Sequence, residues 1–298
     1  MTFTQQNVNY AADYSRALAE AYLYLSYFGE IWGSNTTDRY KPGLGKTMYI
    51  PSLTTSGARA ANRDQITGTF NRNWNNALQA VSLDMDREWD TLVDPMDVDE
   101  TNMVATIANV AKAFTEQQKV PEMDAYLAAK LYSFTTPDTT ALTASNILTK
   151  WDNYLEALSN ARVPLDRVRA YVTPATYRML KQSSGINRYV EVSNGTGEWN
   201  RNVARLDGVN IREVPEDLMK SAYNFTEGWT PATGAVQINM ILVDPEAVAA
   251  PVKYEVAMMS APNAQSHGKY LYYERYYYGA FKLNTRASGI IVNAAAAS

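Results

Sequence analysis

The sequence predicts an α+β fold, and three observations carry that expectation. Apolar residues recur at helical spacing between about residues 100 and 160, as they also do near the N-terminus. Short β-prone runs, several closed by a proline step, follow from Val168 onward. Between the first helix and the rest lies a long polar stretch with too few apolar residues for a core of its own.

In order, residues 11–32 read as an amphipathic helix, with Leu18, Ala21, Leu25, Phe28 and Trp32 recurring every three or four positions. Gly33 and Ser34-Asn35 end it, and the Pro/Gly-rich link 41–45 redirects the chain. Residues 47–80 are rich in Thr, Ser, Asn, Gly and Arg, with β-prone patches at 48–50 and 67–70, and read as a functional arm or a disordered insertion. Residues 81–93 read as its second strand. Asp94-Pro95 is a turn, Asp97 or Asp99 caps the next helix, and Glu100 favours its positive end. Met103, Ile107, Val110, Ala111 and Phe114 predict about five helical turns. Pro121, suited to a first helical position, opens a second helix, and Thr143 a third with Ile147, Trp151, Leu155 and Leu158 on one stripe. Residues 168–172 then predict a strand, and Thr173-Pro174 a capped helix through Leu180. Residues 209–214, 238–243, 253–258 and 269–283 predict further strands, the last strongly aromatic.

At 298 residues the chain is long enough for one large domain or two smaller ones, burying roughly three quarters of its unfolded surface. A formal charge of −4 argues against coating nucleic acid through net positive charge. The absence of cysteine excludes disulfides, thiolate nucleophiles and cysteine-ligated zinc. No secretory signal and no membrane-length apolar run is evident, so a soluble, unexported chain is expected. Tyrosine is abundant, with 21 residues against six tryptophans, and its broad apolar ring with a polar tip favours interfaces.

Catalytic signals are weak. Gly43–Thr47 (GLGKT) resembles the end of a phosphate loop, but Tyr40 stands where a glycine belongs and an extended segment follows, so a hinge is predicted. His267, the only histidine, lies in a turn-like polar stretch. The acidic run Asp84, Asp86, Glu88, Asp90, Asp94, Asp97, Asp99 and Glu100 lacks calcium-loop spacing. As a strand, Asp84, Asp86, Glu88 and Asp90 share one face, solvated or turned to a partner. Upstream, Arg59, Arg63 and Arg72 face Asp64 alone, so a basic tip and an acidic root containing Asp84 and Asp86 suit head-to-tail contact between copies. In 270–278 (YLYYERYYY), one face carries Tyr270, Tyr272, Glu274, Tyr276 and Tyr278. Sheet packing plus an intersubunit face is expected there, with Tyr272 and Tyr276 as contact residues, rather than a nucleic-acid stacking platform. No catalytic residue, metal site or cofactor is assigned.

Several spaced pieces together resemble tailed-bacteriophage major capsid proteins of the Hong Kong 97-type fold. They are the acidic step 94–101 into a helix, Val120–Tyr126 (VPEMDAY), Tyr171-Val172-Thr173-Pro174, Leu206-Asp207-Gly208-Val209 with Glu213-Val214-Pro215, the segment 238–248 ending in ILVDPEAV, and the aromatic strand closing in 286–290. The resemblance implies an N-terminal arm (1–45), an extended β-hairpin loop (46–94), and a peripheral domain with a long spine helix (95–160). It further implies an axial domain (161–265), then a return strand of the peripheral domain with the C-terminal tail (266–298). Implied too are self-assembly through pentamers and hexamers into an icosahedral head, a portal, packaged double-stranded DNA bound without sequence specificity, and no membrane. Assembly would take place in the bacterial cytoplasm, and the mature location would be the virion. Because the arm starts almost at Met1, without the acidic coiled segment of scaffold-fused members, a separate scaffolding protein or none is expected. No lysine lies between Lys46 and Lys112, so lysine-based cross-linking of the loop is not expected, and interlocking or a decoration protein must hold the shell. Two other readings stay open: an encapsulin-like compartment shell, and an enzyme that gathers the acidic run in a concave pocket.

Overall fold

The computed structural model describes residues 26–33, 41–42, 46–58, 74–96, 107–183 and 203–296. Of the helix expected over 11–32, positions 11–25 lie outside the described residues. The remainder is less helical than its periodicity implies. Ser26, Tyr27 and Phe28 form a turn, and only Gly29–Gly33 (α1) is helical. The Ser26 hydroxyl and the Tyr27 N–H are directed sideways onto Asp124, which holds the entering chain as a turn.

Strand β1 (Lys41–Pro42), β2 (Thr47–Thr55) and β3 (Trp74–Ser82) form an antiparallel sheet in that order. The β2–β3 register runs unbroken from Thr47 opposite Ser82 to Thr55 opposite Trp74. The arm's return strand is therefore β3, not residues 81–93. The chain breaks at Leu83 and Asp84, where Leu83 turns into a small core with Met48 and Tyr277. Strand β4 (Met85–Val93) then joins a different sheet.

Ile107–Phe114 (α2) runs through a π-helical turn, Thr115–Lys119, into Val120–Ser133 (α3). Pro121 therefore does not open a separate helix. An interior proline lacks an N–H and its ring collides with the carbonyl four residues back. The π turn just before it, with the Val120 N–H reaching back to the Thr115 carbonyl, widens the backbone and lets the helix continue. Ile147–Asn160 (α4) follows, its start held by reciprocal bonds between Thr143 and Asn146. The expected stripe Ile147, Trp151, Leu155 and Leu158 is buried.

Strand β5 (Arg169–Val172) leads into Pro174–Gln182 (α5), whose N-cap Thr173 accepts from the Thr176 N–H. Strands β6 (Arg205–Leu206) and β7 (Val209–Glu213) are joined by Asp207-Gly208, both at positive φ (49° and 87°), the two-residue turn that matches strand twist. Short strands β8 (Tyr223–Asn224) and β9 (Thr230–Pro231) pair, and β10 (Ile238–Val243) follows. The remaining strands are β11 (Val248–Ala249), β12 (Val252–Ser260), β13 (Tyr270–Tyr278), β14 (Phe281–Lys282) and β15 (Ile290–Ala294). The aromatic strand expected over 269–283 thus breaks at Gly279-Ala280, and its last piece pairs with β11.

The five-stranded sheet β15-β10-β5-β7-β6 is covered on both faces. Along β10, Met240 and Leu242 pack with Trp151, Leu158 and Tyr177 from α4 and α5, while Ile241 and Val243 belong to the core of Phe28 in the entering turn, Ile31 of α1, and Met123 and Leu127 of α3. Such two-sided burial accounts for β10 reading as a continuous apolar run. The second main sheet, β12-β13-β4, lays its Tyr276 and Tyr278 side on that same α3 core. Strand β12 pairs along its length with β13, so residues 252–260, expected in the axial unit, share a sheet with the return strand.

Candidate assembly interface

Directly opposed residues of a β-ribbon project to the same side, so the β2–β3 register sorts the hairpin into two faces. One face carries Met48, Ile50 and Val81, which seat the hairpin root against Leu83, Tyr277, Phe281, Ala249 and Leu283. The other carries Tyr49, Pro51, Leu53, Leu78 and Trp74, all exposed, with Leu53 at 63% and Leu78 at 61%. Neither strand has a charged side chain. Edge strands in water ordinarily carry lysine, proline or inward charges that block further pairing. Here the short outer strand β1 supplies Lys41 and Pro42 at the root, and beyond it Pro51 alone serves that purpose in β2 and β3.

The root of the hairpin is held by two carboxylates. Asp84 accepts from the Tyr126 hydroxyl and pairs with Lys130 at 2.5 Å. Asp86 takes both Arg275 nitrogens, at 2.8 and 3.0 Å, and Lys46 at 2.7 Å. Hydrogen bonds from Arg275, with Lys46 beside it, hold the Asp86 carboxyl down at about 2. Burial, reinforced by the Asp84 carboxylate, pushes the Tyr126 hydroxyl up, so it stays a donor. Asp84 and Asp86, expected to face a neighbouring copy, are thus engaged within their own chain. Arg59, Arg63 and Arg72 lie outside the described residues.

The motif Val120–Tyr126 is the body's side of this root. Glu122 accepts from Arg87 of β4 at 2.8 Å and from the Tyr278 hydroxyl at 2.8 Å. Asp124, fully buried, holds the N-terminal segment through the Ser26 hydroxyl and the Tyr27 N–H, the latter at 2.7 Å. Burial raises the Asp124 carboxyl to about 7 despite those bonds. Tyr126 reaches Asp84 and accepts from the Ala280 N–H at 3.2 Å. Within five residues of α3, Glu122 and Tyr126 on one side and Asp124 on the other therefore fix three separate segments.

The aromatic strand corrects an expectation. Tyr272 and Tyr276 are each only 2% exposed, Tyr276 in the core shared with α3 and Tyr272 beside Trp89, so their rings form core and not a surface for a neighbour. Beside them Lys119 and Glu274, 3% exposed each, form a buried ion pair, with the Tyr272 hydroxyl donating to Glu274 at 2.8 Å and Lys119 Nζ 4.1 Å from the Tyr276 ring centre. Outward lie Leu271, Tyr273, Arg275 and their partners Leu92, Asp90 and Glu88.

The described part of the acidic run does not converge, and Asp97, Asp99 and Glu100 lie outside the described residues. Asp84 and Asp86 are drawn to separate cations, Glu88 accepts from Tyr273, and among the described residues no group of three or more His, Cys, Asp or Glu is placed to hold a metal ion. The pocket that an enzymatic reading requires of these carboxylates is therefore not formed by the described ones. Thr47, last residue of GLGKT, begins a strand rather than a helix, and His267 sits exposed in a turn at φ 51°. Among the described residues no helix is long and apolar enough to cross a membrane. The exposed hairpin stripe was not singled out from sequence; its signal is the absence of charge over 47–58 and 74–82 together with alternating Tyr49, Pro51 and Leu53.

No family model and no curated protein matches the sequence. Solved structures do. A chain from the asymmetric unit of the bacteriophage PhiM1 mature capsid aligns at TM-score 0.59 with 13% identity, over 84% of this chain and 82% of its own. A chain of the cyanophage P-SCSP1u capsid aligns at TM-score 0.59 with 14% identity, over 87% and 86%. A chain of Mycobacterium phage Che8 aligns at TM-score 0.55 with 15% identity, over 84% of each. The chain has the fold of tailed-phage capsid subunits.

Proposed function

We propose, from this shared fold and the exposed apolar face on the uncharged strands β2 and β3, that the chain is the major subunit of a phage head. Copies tile as pentamers and hexamers into an icosahedral shell around double-stranded DNA, held without base-specific contacts. The single observation that carries the reading is the face of Tyr49, Leu53 and Leu78, apolar and exposed on two strands without charges. Such a face is stable in water only when a neighbour covers it. Head-to-tail contact of one copy's hairpin with the next copy closes into rings, since a heterologous contact either closes or runs on. Many modest contacts of this kind anneal during growth and hold collectively once interlocked. A portal and a separate scaffolding protein fit the same scheme, and a decoration protein would add to the cohesion.

Electron microscopy of the chain expressed alone in bacteria tests this. Closed shells, or sheets and tubes of hexameric units, are expected. A Leu53→Asp, Leu78→Asp variant should fold as wild type yet remain unassembled. A wild-type chain that stays monomeric even with a co-expressed scaffold would refute the reading.

A further inference from the structure

The hairpin leaves the body at one small pivot. Leu83, 2% exposed, is the first residue after β3, and its N–H donates to the Lys46 carbonyl at 2.8 Å, so both strands end at the same point. Its side chain sits with Met48 and Tyr277, with Val81 and Phe281 packed alongside. Gly279 forms the floor of that seat. A Cβ there would lie 3.0 Å from Leu83 Cδ2 and 3.0 Å from the Phe281 ring, so the absent side chain is what admits Leu83. On either side stand the two carboxylates, Asp84 tied to Tyr126 and Lys130 of α3, and Asp86 tied to Lys46 and to Arg275 of β13. Beyond Ile50 and Val81 the hairpin has no buried apolar side chain among the described residues.

We propose that Leu83 in its Gly279 seat, flanked by the Asp84 and Asp86 clamps, is a pivot that sets the direction in which the hairpin projects. The seat fixes the position of the root, and the two clamps oppose rotation about it in opposite senses, one from the helix and one from the sheet. Both clamps are partly exposed, with Asp84 and Lys130 at 42% and 33% and Lys46 at 44%, so they yield to ionic conditions while the apolar seat does not. The inference draws on the shell reading only for its consequence, namely which neighbouring surface the hairpin meets.

The test is a distance measurement on full-length, unassembled subunits. The chain has no cysteine, so Thr54→Cys on the hairpin and Ser159→Cys on α4 take two spin labels uniquely. Nine residues at ~3.3 Å each make the hairpin a lever of about 30 Å, which magnifies small motions at its root. Gly279→Val should move the mean label distance by about 3 Å or more on that lever. The Asp84→Asn, Asp86→Asn pair, at partly exposed positions that leave the core intact, should widen the distribution without moving the seat. Raised salt should widen the wild-type distribution toward that of the pair. Distributions that coincide with wild type in both variants, with circular dichroism unchanged, would overturn the pivot. Because the labels report on single subunits, a displaced hairpin in a chain that never forms shells would uphold the pivot and count only against the shell reading.

Discussion

Replacing Asp124 by asparagine should remove a pH dependence of stability that the wild-type chain owes to one carboxyl. Burial lifts this group from 3.8 to about 7, against the lowering effect of the Ser26 and Tyr27 hydrogen bonds and of Arg212 nearby. The folded chain then binds the Asp124 proton more tightly than the unfolded chain does. The favourable contribution of the protonated group is fully present below about pH 4 and is lost as pH rises toward 7. Between pH 5 and pH 8 the loss works out at about 2 to 3 kcal/mol, taking 1.36 kcal/mol per pKa unit. Asparagine has no charge to bury, and its carbonyl oxygen still accepts from the Tyr27 N–H. Urea unfolding of unassembled wild type and variant at both pH values reads the difference of differences, in which contributions common to the two chains cancel. The variant should gain those 2 to 3 kcal/mol on wild type between pH 5 and pH 8. Parallel pH profiles for the two chains would refute the reasoning, since the carboxyl would then ionise as freely inside as outside.

Other expectations follow from the same geometry. Lys119→Met leaves the Glu274 carboxylate buried without its opposing charge, and a loss of about 3–5 kcal/mol is expected in urea unfolding. Adding Glu274→Gln should recover much of that, because a neutral amide still accepts from Tyr272; a single variant within ~1 kcal/mol of wild type would contradict the pair's burial. Gly208→Ala meets no neighbouring atom but must adopt φ 87°, so thermal unfolding should register a loss of about 1 kcal/mol. Asparagine at the same position should cost less, since it tolerates the left-handed region.

Local chemistry made parts of this fold readable in advance. Thr173-Pro174 announces α5 because a hydroxyl cap and a preset φ act within a few residues. Asp207-Gly208 announces the β6–β7 turn for the same reason, and the unbroken apolar run of β10 reports two covered faces. What escaped depends on distant partners. Alternation along 270–278 separates two faces but carries no mark of which one meets a helix, and only Lys119 opposite Glu274 reveals that the Tyr272 and Tyr276 side is interior. Pro121 reads as a start because its tolerance inside a helix depends on a π turn with no signature of its own. At the candidate interface the acidic residues drew notice through their density, yet Asp84 and Asp86 find their cations 40 and more positions away, in Lys46, Lys130 and Arg275. The apolar hairpin face drew none, because its mark is an absence of charge.

The π turn between α2 and α3 also has a bearing on what variation this chain tolerates. A π turn is, in effect, one amino acid inserted into an otherwise regular helix. Losing a single codon within 115–119 would preserve the reading frame and restore an unbroken α-helix through the region. Because the wider turn takes up the extra residue, everything upstream would keep its facing, and Phe114 would stay on its stack with Trp89, where the rings lie 4.1 Å apart and nearly parallel. What would be lost is the room beside Pro121, whose ring would then meet the carbonyl four residues back. A deletion that repairs the helix in its hydrogen bonds would thus place a clash inside it. Lineages carrying this chain should keep the extra residue and Pro121 together or lose both.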